Sequence, residues 1–365
     1  MVEIENTSQL TLIITNTCNL RCIYCYEKNK TSDVMSFEIA TEWICRCLEK
    51  DYDRHLNIYL FGGEPLLQFP LIKRICEWTW CNNWKRCYSF IVQTNGTLLN
   101  QKMKKWFSQH KEQIKMCLSL DGSRDTHNKN RDNSFDKIDI AFFKETWPSQ
   151  PVKMTISKFN LDNLAKDIIW LHEQGFNIRG CNFAIGEPEY DDAFFNALSI
   201  QLKELSDYYI SNPSVTISPI LDIPLFLLSE SNSPEKISCN LGNDKLLVVN
   251  TDGSTSPCSF FSNVSFGKNE RDKIAQVLDY IDYKKIECHG TCVFFPVCDM
   301  CYGENLKSTG NIYKPAANKC KLMRMRIKAA MYVQASIIAQ KKEITYQEFL
   351  TINSIKKYYK SPKLN

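Results

Sequence analysis

The sequence has no stretch approaching the roughly 18 to 20 apolar residues that a membrane-spanning helix needs. Nothing in Met1 to Thr17 joins a basic region to an apolar one, as an export signal does. An excess of charge is missing too: 45 basic residues stand against 41 acidic ones, a formal charge of +4. That is too balanced for the electrostatic footprint of a nucleic-acid binder. These absences give the expectation of a cytoplasmic protein with no membrane and no nucleic-acid partner. Core-forming residues are not lacking, since 365 residues with 44% apolar and 12% aromatic content can bury a large interior and predict two or three domains.

Cysteine is abundant. Seventeen of them without an export signal do not suit a disulfide scaffold, so most should be thiols or metal ligands. Three fall in Cys18-x3-Cys22-x2-Cys25, and seven more follow residue 238: Cys239, Cys258, Cys288, Cys292, Cys298, Cys301 and Cys320. The other seven, Cys45, Cys47, Cys76, Cys81, Cys87, Cys117 and Cys181, read as small buried hydrophobes or helix-surface thiols.

From residue 10 to 210, short apolar runs alternate with amphipathic ones. Strands are predicted at Leu10 to Thr15, Leu56 to Phe61, Tyr88 to Thr94, Met116 to Leu120, Val152 to Ile156 and Gly180 to Ala184. Six β/α units imply an α/β fold with a parallel sheet, either an open barrel or a doubly wound sheet. In both, chemistry belongs on the loops leaving the C-terminal ends of the strands, where the cysteine loop, Gly62-Gly63-Glu64-Pro65, Thr94-Asn95-Gly96 and Asp121-Gly122 fall. The turn residues Ser229-Glu230-Ser231-Asn232-Ser233-Pro234 mark a boundary. The expected domains are residues 1–225, a cysteine-rich domain over 226–320, and a helical segment over 321–365 whose helix ends near Gln340 before a charged tail.

Three thiolates within eight residues can converge on one polynuclear iron centre. With no fourth cysteine nearby, such a centre keeps an iron open to a small molecule, whereas structural zinc takes four protein ligands. A partial zinc site or a chance cluster fits the spacing as well.

The loop Cys18-Asn19-Leu20-Arg21-Cys22-Ile23-Tyr24-Cys25 resembles the Cys-x3-Cys-x-aromatic-Cys loop of the radical S-adenosylmethionine (SAM) superfamily, and Gly62-Gly63-Glu64-Pro65 resembles the segment after that family's second strand. The resemblance implies a (β/α)6 partial TIM barrel in which Cys18, Cys22 and Cys25 hold a SAM-binding 4Fe–4S cluster. Gly62, Gly63, Glu64 and Pro65 would receive the SAM amino group, Ser119 and Arg131 the ribose and carboxylate, and Tyr24 would line the site. Arg131 also reads as a surface partner of Asp125 or Asp132, and Tyr24 as packing. The implied chemistry is one-electron cleavage of SAM to methionine and a 5′-deoxyadenosyl radical that abstracts a substrate hydrogen, fed by an external donor of the flavodoxin or ferredoxin type.

The spacing Cys239-x13-Gly253-x4-Cys258, then Cys288-x3-Cys292-x5-Cys298-x2-Cys301 and Cys320, is similar to the SPASM domain, which carries two auxiliary 4Fe–4S clusters. By that analogy Cys239, Cys258 and Cys301 would bind one cluster and Cys288, Cys292, Cys298 and Cys320 the other. Seven ligands for two cubanes leave one iron open, or closed by a noncysteine side chain. A pair of zinc knuckles is the alternative.

Among enzymes of this architecture, sulfatase maturases carry an acidic residue where this chain has Ser259 and an extra cysteine near Lys245. The resemblance therefore leans to maturases that crosslink, cyclise or epimerise a ribosomally made peptide with a leader sequence. With 17 residues before Cys18, leader capture is expected on the barrel, the C-terminal helix or a partner. A sulfatase-maturase-like modifier, a dehydrogenase of a small metabolite and a noncatalytic iron–sulfur electron carrier are the other readings.

Overall fold

The computed structural model describes residues 7–50, 52, 54–148, 151–185, 190–229, 239, 246–274 and 281–359. Residues 230–234 of the expected boundary turn, and Lys245, lie outside the described residues.

Six strands, β1 (Gln9–Thr15), β2 (Leu56–Gly62), β3 (Tyr88–Thr94), β4 (Ile114–Ser119), β5 (Pro151–Ile156) and β6 (Asn177–Phe183), pair in parallel in the order β6-β5-β4-β3-β2-β1. Parallel neighbours need crossovers. These are supplied by α1 (Phe37–Leu48), α2 (Phe69–Trp80), α3 (Gln101–Gln109), the pair α4 (Arg124–Asn130) and α5 (Ile140–Thr146), and α6 (Leu164–Glu173), with α7 (Asp192–Ser211) after β6. Several helices start where a polar cap accepts a backbone N–H, as Ser36 does from Ile39 and Asp191 from Phe194. The expected partial barrel is the fold observed.

Strand alternation divides the barrel into two surfaces. Leu60, Val92, Leu118 and Met154 are fully buried in the core cluster shared with the helices. Their neighbours Phe61, Gln93, Ser119 and Lys153 line the inner cavity.

The sheet does not stop at residue 225. Strand β7 (Leu246–Val249) pairs in parallel with β1, and β8 (Thr255–Ser256) antiparallel with β7, so the segment expected to begin a separate domain extends the barrel sheet. After it come α8 (Lys268–Lys273), α9 (Tyr302–Thr309), α10 (Ala317–Ala339) and α11 (Tyr346–Tyr358).

The C-terminal expectation needs correcting in two respects. The helix begins at Ala317, so Cys320 sits in its first turn, and a second helix, α11, replaces the expected charged tail. Thr345 and Glu348 form a capping box that starts α11, and Ile355 packs it against Leu225 and Leu228. The lysines around this helix hid those few buried positions from a periodicity reading. Among the described residues, no helix is long and apolar enough to cross a membrane.

Candidate functional site

The cysteine loop is fixed by its neighbours at the C-terminal ends of the strands. Gly63 N donates to Thr15 O and Glu64 N to Thr17 O, each at 2.9 Å. A Cβ on Gly62, whose φ is +130°, would meet Thr15 O at 2.2 Å, and one on Gly63 would meet Thr17 O at 2.3 Å, so this turn requires glycine to lie against the loop. Ile23 N donates to Asn130 O at 3.0 Å, tying the loop to the end of α4. Asn19 joins it to the loop after β3, donating to Thr97 Oγ1 and accepting from Asn95 Nδ2 at 2.9 Å each.

Cys18, Cys22 and Cys25 face one cavity of about 200 Å³ together with Tyr24, Gly62, Gly63, Glu64, Ser119 and Arg131. Pro65 lies beside it as the buried first residue of the short helical turn after Glu64. The sequence-predicted SAM residues therefore meet in one place, Pro65 excepted as a lining residue.

Glu64 is 1% exposed. Its Oε1 accepts from Leu66 N at 3.1 Å and Thr94 Oγ1 at 2.7 Å, and its Oε2 from Asn95 N at 2.7 Å. Burial outweighs these donors and pushes the carboxyl up to about 7. A cation arriving beside it would restore the charged form.

Arg131 is not the surface partner of Asp125 or Asp132. It is 7% exposed and forks onto Asp121, with Nε to Oδ2 and Nη2 to Oδ1 both at 3.0 Å. Asp121 is fully buried and also accepts from Asn130 Nδ2 at 3.2 Å, from Thr155 N at 3.0 Å and from the Tyr24 hydroxyl. Burial alone would raise this carboxyl, yet the facing guanidinium holds it below the usual carboxylate range. Tyr24 is thus both packed and hydrogen-bonded, its ring 5.3 Å from the Arg131 guanidinium carbon.

Burial also raises the Cys18 and Cys22 thiols, as expected where an anion leaves water without a cation. Cys22 is pushed up to about 11, with Asp121, Cys25 and Cys18 adding to the effect and Arg131 opposing it. Further along the chain, Cys258 is pushed up to about 12 by burial and by neighbouring Cys301 and Cys239. Cys288 is raised to about 11 by burial and by Cys292 and Cys320, while Cys298 is raised with Cys288 and Cys320 as neighbours. Cys258 thus has Cys301 and Cys239 as neighbours, and Cys288 has Cys292 and Cys320.

Among the described residues, no three His, Cys, Asp or Glu side chains gather as a single metal ion requires. A cubane asks something different of its ligands, because each thiolate takes its own corner iron.

Tyr26 connects the two regions. Its ring stacks on Phe260 at 6.3 Å, and its hydroxyl is raised by burial and then by Glu27, Cys258, Cys25 and Cys301. Of the remaining cysteines, Cys47, Cys76 and Cys181 are buried, Cys81 and Cys87 exposed, and Cys45 and Cys117 half-buried. Sequence reasoning placed Asp121 on a strand-end loop without giving it a role, and passed over Tyr26, Glu27 and Lys153. The available signal for Lys153 was a lone charge within the apolar strand Val152–Ile156.

Residues 12–142 match the radical SAM superfamily. An uncharacterised protein of Methanocaldococcus jannaschii is 26% identical over 279 residues, covering 74% of this chain and 91% of its own. The radical SAM cyclopropyl synthase TigE of Paramaledivibacter caminithermalis is 21% identical over 355 residues, 89% of this chain and 74% of that one. A cysteine-type anaerobic sulfatase-maturating enzyme of Clostridium perfringens is 24% identical over 277 residues, 67% of this chain and 72% of that one. In fold, the chain is similar to native anSMEcpe with bound AdoMet, with a TM-score of 0.68 at 20% identity over 91% of this chain and all of the other. It is also similar to Streptococcus suis SuiB bound to the precursor peptide SuiA, with a TM-score of 0.56 at 17% identity, over 87% and 76% of the two chains.

Proposed function

We propose that this radical SAM enzyme, whose superfamily domain spans residues 12–142 and whose relatives include sulfatase and peptide maturases, crosslinks, cyclises or epimerises residues of a ribosomally made peptide. The observation that carries the reading is the convergence of Cys18, Cys22, Cys25 and the Gly62-Gly63-Glu64 turn on one cavity, with Tyr26 linking that cavity to the Cys239, Cys258 and Cys301 group.

The residues fit the implied cofactors. Three clustered thiols with no fourth cysteine on the cavity suit a cubane with an open iron, and a buried carboxyl pushed up to about 7 suits an ammonium group. SAM and a 4Fe–4S cluster together supply a hydrogen-abstracting carbon radical. Cys18, Cys22 and Cys25 would hold the iron, and Glu64 would orient the ligand's ammonium group. Asp121 locks Arg131 and Tyr24 in place, while Leu20, Phe61 and Phe183 exclude water from the cavity wall. In the second region, Cys239, Cys258 and Cys301 would hold one auxiliary cluster and Cys288, Cys292, Cys298 and Cys320 another, and with three cysteines the first would leave an iron for a substrate atom or a noncysteine ligand. The electron would come from an external flavodoxin- or ferredoxin-type donor in the cytoplasm.

Ser259 favours a peptide over a sulfatase substrate. It stands where an acidic proton acceptor would be needed, and its carbonyl is occupied by the hydroxyls of Ser262 and Ser265 at 2.7 and 2.8 Å. The test is anaerobic coexpression with short reading frames neighbouring the gene, followed by mass spectrometry. Loss of two hydrogen masses, or an unchanged mass in ordinary water with uptake of one deuterium when the reaction is run in deuterium oxide, is expected. Cleavage of SAM with no change in any neighbouring peptide, but oxidation of a small metabolite, would overturn it.

A further inference from the structure

Among the described residues, three cations face the cavity, and two are already engaged. Lys30 Nζ donates to Leu20 O at 3.2 Å, and the Arg131 fork is closed on Asp121. Lys153 is different: it lines the same cavity from the middle of β5, and no hydrogen bond or ion pair holds its ammonium group among the described residues.

The strands on either side make room for it. Lys153 stands in register with Ser119 on β4 and with Gly180 on β6. A Cβ on Gly180 would approach Lys153 Cγ at 3.2 Å, so the glycine lets the lysine stem run across the strand toward the cavity. The charged groups acting on it are Cys117, Arg131 and Glu27, and burial holds its ammonium below the usual lysine range. Glu27 is itself 8% exposed and shared with Lys30. Lys153 is half-buried, and an ammonium held partly out of water without a hydrogen-bonded partner is costly unless a ligand supplies an anion.

SAM is a zwitterion at its methionyl end, and the cavity offers a carboxylate on one wall, Glu64, and this uncommitted ammonium on another. We propose that Lys153 holds the α-carboxylate of SAM, the role that family resemblance gave to Arg131, and that Arg131 instead braces Asp121 and Tyr24. The inference rests on the SAM-dependent reading above and deepens it.

The test compares SAM with decarboxylated SAM, which lacks only the carboxylate. Equilibrium binding is measured anaerobically on the cluster-loaded wild type and on Lys153→Met and Lys153→Arg, with iron content and circular dichroism as controls for folding. Wild type is expected to prefer SAM by about ten- to hundredfold, the size of a hydrogen bond to a charged group. Lys153→Met should lose that preference by weakening SAM alone, and Lys153→Arg should keep most of it. A Lys153→Met protein that folds and still prefers SAM as wild type does would overturn the assignment and leave the functional reading intact. A wild type that binds neither compound overturns both. If Lys153→Met fails to fold, a Lys153→Arg protein with the wild-type preference supports the assignment, and one with a lost preference overturns it.

Discussion

Asp121 and Arg131 meet through two parallel hydrogen bonds of 3.0 Å, beneath the cysteine loop and almost wholly out of water. The pair joins the end of β4 to the end of α4, and Tyr24 of the loop closes onto the same carboxylate. The pair is structural, because removing one partner strands a buried charge.

Asp121→Asn is expected to cost about 3–5 kcal/mol of stability, the range for breaking a buried ion pair. Denaturant unfolding under anaerobic conditions measures it. Asp121→Asn/Arg131→Met should cost less than the sum of the two single changes, because neither charge is then left alone.

The same pair sets an acid limit. The Asp121 carboxyl lies below its ordinary value when folded, so its contribution is fully present above the unfolded carboxylate range and is lost as pH falls through the depressed value. The stability difference between wild type and Asp121→Asn should therefore shrink on acidification below that range. A difference independent of pH would contradict the assignment.

The two later cysteine groups should be separable. Cys258→Ala and Cys301→Ala are expected to abolish one and the same electron paramagnetic resonance signal, and Cys292→Ala and Cys320→Ala another. Mixed losses would show that the cysteines pair with clusters differently.

At the C-terminus, Thr345→Ala removes the cap of α11 and should destabilise it by about 1 kcal/mol. Hydrogen exchange within Tyr346–Tyr358 should speed up while that of β1 to β6 does not.

The barrel was legible because β2 to β5 alternate an outward apolar residue with a cavity residue, and because Cys18 to Cys25 and Gly62 to Glu64 fall at successive strand ends. The role of Arg131 was not, since its partner Asp121 is ten residues away and only a fold brings α4 back over β4. Lys153 was obscured for a similar reason: a cation in a strand gains meaning only once Gly180 stands beside it. The extension of the sheet by β7 was beyond periodicity, because pairing with β1 crosses more than two hundred residues of sequence.

The most direct test is to incubate the anaerobically purified, dithionite-reduced protein with SAM and measure 5′-deoxyadenosine, beside iron and sulfide analysis. Wild type is predicted to form 5′-deoxyadenosine, and the Cys18→Ala/Cys22→Ala/Cys25→Ala protein to form none while losing about four of about twelve irons. A wild type that contains zinc in place of iron and sulfide, or that leaves SAM intact under strong reduction, contradicts the account.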